Sequence, residues 1–227
     1  MLTQTAIRSG SFKQPAAHLP PPVENFELAG AVELMGAPMS FARNAEIFGE
    51  GEPADYLYKV VSGTVRTYKV LADGRRQIGG FYLPGDICGL ETGDEHAFSA
   101  EAITECKVLV IKRSALVALA GRDHDVARQL WTLTGSELRR VQDHILLLIK
   151  SAQERVAAFL LEMAERVSAG NAIELPMSRQ DIADYLGLTI ETVSRTLTLL
   201  ENASAIELSS SRRIVLRNRS ALSRLNA

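Results

Sequence analysis

Ser178-Arg179-Gln180-Asp181-Ile182-Ala183-Asp184-Tyr185-Leu186-Gly187-Leu188-Thr189-Ile190-Glu191-Thr192-Val193-Ser194-Arg195 is the run on which the fold turns. Ser178 is a helix N-cap, because its short hydroxyl can accept from the orphan N–H groups of a first turn. Asp181 puts an acid in that turn, where the helix dipole favours it. The helix so started is expected to run through Tyr185. Gly187 interrupts it, Thr189 caps again, and a second helix is expected over 190–201. Two short helices about a glycine-containing turn have the proportions of a helix-turn-helix, whose second helix sets its N-terminal residues on base edges in the major groove. Glu191, Ser194 and Arg195 are spaced i, i+3 and i+4 and share one face of that helix. Arginine can donate twice to guanine O6 and N7, glutamate can accept from cytosine N4, and a serine hydroxyl can do either. The same spacing fits an ordinary surface ion pair between Glu191 and Arg195, so spacing alone leaves both readings open.

Downstream, Ala205-Ile206-Glu207-Leu208 and Arg213-Ile214-Val215-Leu216 flank a polar turn and read as a small two-stranded wing. Upstream, 153–169 is amphipathic and stops at Gly170-Asn171. Before it, from Asp123, the apolar period is about 3.5. Ala127, Trp131, Thr134, Leu138, Val141, Ile145, Leu148 and Ala152 fall at alternating steps of four and three. That seam predicts one long helix able to pair with a copy of itself, the alternative being a helix buried within its own domain. Leu146, Leu147 and Ile149 lie off the seam, so a second apolar face is expected to pack on the domain that precedes it.

Between about Phe41 and Lys112 the texture is short alternating runs broken by glycine. Strands are expected over 56–61 and 64–70, joined by Ser62-Gly63, and over 77–82, 99–104 and 106–111. Short strands at this spacing suggest an antiparallel barrel or sandwich. Residues 1–24 mix small, polar and proline residues without period and read as a loose arm. The expected architecture is α+β: an arm over 1–24, an antiparallel β-barrel over 25–121, a dimerisation helix over 122–152, and a winged helix-turn-helix over 153–227.

With 227 residues, 46% apolar and 23% charged, the chain is no disordered polymer, collagen or disulfide miniprotein. Its 25 basic against 27 acidic residues name no partner, although residues 178–227 carry 7 basic against 5 acidic. Cys88 and Cys106 fit no zinc or iron–sulfur spacing and are expected as free thiols. A buried, inert Cys88 is the more common case, a redox-sensitive one the alternative. The histidines His18, His96, His124 and His144 are scattered, so no metal is expected. The longest apolar run, 145–149, is too short to cross a bilayer, and a soluble, cytoplasmic protein is expected. No nucleophile–base pair, metal cluster or phosphate loop stands out, Gly79-Gly80 being too little for one, so an enzyme is not expected.

Residues 178–195 closely resemble the helix-turn-helix of the Crp/Fnr family of bacterial transcription regulators, and the resemblance extends over most of the chain. Gly85-Asp86-Ile87-Cys88-Gly89-Leu90-Glu91 looks like that family's barrel cassette, Thr104-Glu105-Cys106 like its next strand, and the long helix falls where these proteins dimerise. The match is strongest to the FixK-like branch, which activates genes of microoxic respiration and nitrogen fixation. The resemblance implies a cyclic-nucleotide-binding-like barrel and a homodimer on double-stranded DNA, with Trp131, Leu138, Val141, Ile145 and Leu148 on the dimer helix. Glu191, Ser194 and Arg195 match the base-reading set of Fnr-like members, which bind palindromes of the TTGAT-N4-ATCAA type. Arg179 and Gln180 match phosphate-contacting positions, and Thr189, Thr192, Arg212 and Arg213 are further candidates for phosphates. Activation implies contact with RNA polymerase, and no membrane association is expected.

Departures from the family pattern matter as much. Cyclic-AMP receptors usually carry an arginine before the glutamate, whereas Ile190 stands there and should shift preference toward the Fnr-type half-site. Residues 1–87 contain no cysteine, which removes the N-terminal cluster of oxygen-sensing members. Phe98-Ser99 and Asp86 stand where the nucleotide cassette has an arginine-serine pair and a glutamate, so the charge for a buried phosphate is missing. The expectation is a regulator with no cofactor and a vestigial barrel. The alternative is a ligand-gated regulator whose barrel binds an unidentified small molecule.

Overall fold

The computed structural model describes residues 35–167 and 171–226. The expected N-terminal arm lies outside them. The first domain is built from β1 (Ala37–Phe41), β2 (Glu46–Phe48), β3 (Tyr56–Ser62), β4 (Val65–Val70), β5 (Arg76–Tyr82), β6 (Ile87–Cys88), β7 (Ser99–Ala102) and β8 (Cys106–Lys112). They form two four-stranded antiparallel sheets, ordered β1-β8-β3-β6 and β2-β7-β4-β5. Alternation does the folding. Tyr58 and Val60 of β3 and Val65 and Thr67 of β4 are buried at every second position, with half-buried Lys59 and Arg66 between them. Phe48, Val65, Ala100 and Ala102 of one sheet share a core with Tyr58, Val60, Cys88, Cys106 and Val108 of the other. The β3–β4 turn requires glycine: Gly63 has φ +83°, and a Cβ there would stand 2.3 Å from the Glu105 carbonyl.

After β8 comes α1 (Arg113–Ala120), then the long α2 (His124–Leu148), capped by the Asp123 side chain on the N–H groups of Asp125 and Val126. Val126, with Leu130 and Leu133, packs beside Leu57, Ile87, Ile111 and Leu116. The seam faces outward: Trp131 is 83% exposed, and Leu138, Val141 and Ile145 are exposed as well. Two expectations need correction. The helix ends at Leu148, so Ala152 is not on the seam but opens α3 (Ala152–Val167). Ser151 and Glu154 close a capping box there, each side chain taking the other's backbone N–H, at 3.4 and 2.8 Å. Of the three off-seam residues only Leu147 is buried, while Leu146 and Ile149 are exposed.

The last third holds β9 (Ala172–Glu174), α4 (Arg179–Leu186), α5 (Ile190–Asn202), β10 (Ile206–Leu208), β11 (Arg213–Leu216) and α6 (Arg219–Asn226). The expected wing is there, widened by β9 into a sheet ordered β10-β11-β9. Its core centres on Phe159, Leu160 and Met163 of α3, Leu186 of α4 and Val193, Leu197 and Leu200 of α5. That core does not stop at the domain boundary, because Ile78 and Phe81 of β5 and Leu147 of α2 belong to it. Tyr185 is the joint, with its ring 5.2 Å from Phe81, 6.0 Å from Phe159 and 4.1 Å from His144.

Candidate nucleic-acid interface

The helix-turn-helix is capped at every corner. The Ser178 hydroxyl accepts from the Asp181 N–H at 3.1 Å, and Asp181 accepts from the Ser178 N–H at 2.9 Å. Gly187 ends α4 in the left-handed region at φ 61°, ψ 40°, and the Leu188 N–H reaches the Ala183 carbonyl at 2.9 Å. Thr189 caps α5 by accepting from the Thr192 N–H at 3.2 Å. Arg155 locks the corner from behind. It donates to the Leu186 carbonyl at 2.8 Å and to the Lys150 carbonyl at 2.8 Å, tying the end of α4 to the end of α2.

Burial divides α5 into two faces. Val193, Thr196, Leu197 and Leu200 are buried, whereas Glu191 and Arg195 are exposed and Ser194 is half-buried. Glu191 is held below the usual carboxylate range by the backbone N–H at its own helix start and by the Thr189 hydroxyl, with Arg195 adding attraction through space. No ion pair closes between Glu191 and Arg195 among the described residues. Gln180, Thr189, Arg212 and Arg213 are exposed and Thr192 is half-buried, with Arg212 in the turn of the wing and Arg213 opening β11. Arg179 differs from the others. It is half-buried and donates from Nη1 to the Ser194 Oγ at 3.3 Å.

The first helix is docked on the barrel by charge. Asp181 Oδ1 accepts from Arg66 of β4 at 2.7 Å and from Arg76 of β5 at 2.8 Å. Arg76 also pairs with Asp184 at 2.7 Å, and Arg66 with Glu101 of β7 at 2.9 Å. Lower down, Arg166 of α3 reaches Asp86 at 2.5 Å and the Phe81 carbonyl at 3.1 Å. Reading the sequence did not single out Arg66, Arg76, Arg155 or Arg166, because each works on a residue remote in the chain.

Between β-sandwich and α2 lies a cavity of about 460 Å³, lined by Gly89, Glu91, Phe98, Glu137, Arg140 and others. A cyclic nucleotide does not fit these residues. Phe98 stands on the wall where a phosphate would need a cation, and Ser99 is not part of the lining, its oxygen accepting from the Glu50 N–H at 2.9 Å. Asp86 is not on the wall at all but on Arg166, and the acids that do line the cavity are Glu91 and Glu137. Arg140, the arginine of the lining, is engaged by Glu137 at 2.7 Å and lies 4.4 Å over the Tyr82 ring. Cys88 is buried beside this wall, and burial pushes its thiol up to about 12, which keeps it from the reactive thiolate form. Among the described residues no group of acids, histidines and cysteines could hold a metal ion, and no helix is long and apolar enough to cross a membrane.

Comparison with known proteins agrees with this geometry. The profile of the Crp-like helix-turn-helix domain matches residues 154–225, and that of the cyclic nucleotide-binding domain matches residues 38–123. The nitrogen fixation regulation protein FixK of Azorhizobium caulinodans is 55% identical over 210 residues, covering 90% of this chain and 85% of that protein. FixK of Rhizobium meliloti is 44% identical, covering 81% and 88%. The structure of FixK2 from Bradyrhizobium japonicum superposes with a TM-score of 0.82 at 54% identity, over 85% of this chain and 98% of that one. Fold, capped reading helix and relatives together place the chain in the Crp/Fnr family of DNA-binding transcription regulators, in its FixK-like branch, and not among enzymes.

Proposed function

We propose that the protein is a cytoplasmic, homodimeric regulator, chiefly an activator of microoxic or nitrogen-fixation genes, that binds a TTGAT-N4-ATCAA-type palindrome without a cyclic nucleotide or an iron–sulfur cluster. The observation that carries this reading is the outward face of α5, where Glu191, Ser194 and Arg195 stand together with no partner closing Glu191 onto Arg195. Arg195 serves as the bidentate donor to a guanine and Glu191 as the acceptor from a cytosine. Ile190, exposed in the first turn, offers a methyl surface to a thymine instead of a second guanine donor. Gln180, Thr189, Thr192, Arg212 and Arg213 supply phosphate contacts. The exposed seam Trp131, Leu138, Val141 and Ile145, with half-buried Leu148, supports a second copy as partner, since a soluble monomer rarely leaves such a stripe to water. Dimer symmetry then sets half-sites one helical turn apart. RNA polymerase is the further partner that activation requires. The names of the relatives support the nitrogen-fixation setting. The test is Arg195→Ala on a panel of single base-pair variants: one G·C pair must lose its preference while the others keep theirs.

The cavity beside α2 favours one alternative, a regulator gated by a small molecule other than a cyclic nucleotide. Native mass spectrometry of the purified protein separates the two. A bound small molecule at stoichiometric occupancy supports gating, and a bare mass with full DNA binding excludes it.

A further inference from the structure

Arg179 stands apart from the other phosphate candidates because its side chain is folded back between α4 and α5. Its Nη1 is 3.3 Å from Ser194 Oγ, and its Nε is buried without an acceptor. The contact with Ser194 has a fixed direction. A guanidinium has donors only, so the serine oxygen accepts and its own hydrogen must point elsewhere. A hydroxyl on a helix can return that hydrogen to the carbonyl four residues back. Thr132, Thr134, Ser136 and Thr198 all do so here, at 3.0, 2.9, 3.0 and 3.1 Å. Ser194 does not: its hydroxyl makes no such bond among the described residues, and Arg179 is its partner.

We propose that Arg179 is a positioning residue for Ser194, fixing the serine hydroxyl as a hydrogen-bond donor toward the DNA, so that Ser194 selects a base that presents an acceptor in the major groove. Thymine O4, guanine O6 and N7, and adenine N7 qualify, whereas cytosine presents only its N4 donor. The proposal rests on the reading in which α5 enters the major groove. It adds to that reading a polarity for one contact and a specificity role for a residue of the first helix.

The experiment is a double-mutant cycle of Arg179→Met and Ser194→Ala, measured on every single base-pair change of the half-site across a salt series. Methionine keeps an unbranched apolar stem in place of the arginine stem. The expected result is a several-fold loss of discrimination at the same base pair in both single variants, no further loss in the double variant, and an unchanged salt slope. Discrimination at the G·C pair read by Arg195 stays. Uniform weakening on all duplexes, a salt slope smaller by about one for each arginine removed, and additivity with Ser194→Ala would make Arg179 a phosphate anchor and overturn the proposal. Should Arg179→Met fail to fold, wild type and Ser194→Ala suffice. At the base pair that Ser194→Ala relaxes, wild type must disfavour cytosine most, and a preference for cytosine there, or no relaxed pair at all, overturns the proposal. If wild type does not prefer the palindrome to a scrambled duplex, the reading of α5 itself has failed, and the positioning role with it.

Discussion

Arg195 projects into solvent from a helix that buries Val193 and Thr196 on its other side, so its removal leaves the fold alone. Arg195→Ala should therefore cost about 1–3 kcal/mol of binding at one G·C pair with the melting temperature unmoved. Anisotropy titration beside thermal melting checks both halves. His96 and His144 test the other kind of residue. Burial lowers the pKa of each, outweighing Glu91 at 3.8 Å from His96 Nδ1 and the Tyr185 carbonyl at 2.8 Å from His144 Nε2; His96 is stacked 3.8 Å from Phe48 and His144 lies under Tyr185. The unfolded chain then binds more protons than the folded one as pH falls through about 6.5, so stability is full above that pH and lost below it. Denaturant unfolding between pH 7.5 and 5.5 should show the decline, and His96→Phe should flatten it. At this scale the sequence was half legible. Glu191, Ser194 and Arg195 announce themselves because a helix puts i, i+3 and i+4 on one face. The destination of Arg179 was hidden, because it depends on how closely a second helix approaches. The ion pair of Asp86 was hidden for the same reason, its partner Arg166 lying 80 residues away.

Elements with local signals could be read and those without could not. Strands β3, β4, β5 and β8 alternate over six or seven residues, enough to show a period, while β2 and β6 have only three and two. Helix α1 begins without a side-chain cap and is a nearly unbroken apolar run, so it looks like more strand. Two signals were present and unused: the Ser151–Glu154 box that ends the long seam, and Asn218, whose side chain accepts from the Ala221 N–H to start α6. Gly187 is the test at this scale. A Cβ there meets only ordinary contacts, 3.5 Å from Leu148 and 3.6 Å from Arg155, so the cost of Gly187→Ala is conformational, about 1–2 kcal/mol by denaturant unfolding. Asp181→Ala should cost more, about 2–4 kcal/mol, because it takes one carboxylate from half-buried Arg66 and Arg76, which keep Glu101 and Asp184, and also opens the α4 cap. A loss under 1 kcal/mol would show that these pairs do not hold the helix.

Across the whole molecule, barrel, long helix and reading domain share packing through Phe81, Leu147 and Tyr185 and share charge through Arg66, Arg76 and Arg166. In the proposed dimer this packing connects the seam to α5 through Leu147 and Tyr185. Of this docking only the inward packing of Leu147 was legible in advance, since the rest joins surfaces that look like ordinary polar and apolar faces in their own elements. The seam itself was legible, because a 3.5-residue period has few other uses. Leu138→Glu with Ile145→Glu should yield a monomer in sedimentation velocity and weaken binding to the palindrome by about 10²–10⁴-fold, the loss of two linked half-site contacts. An unchanged dimer would place the interface elsewhere.

The central claim is that ligand-free protein reads a palindrome through α5. It is tested most directly by anisotropy of purified protein in reducing buffer on a TTGAT-N4-ATCAA duplex, against a scrambled duplex at the same salt. Selective binding, at least about 10³-fold over the scrambled control, is the expected result. Equal and weak binding to both duplexes would contradict it, and would move attention to the cavity beside α2.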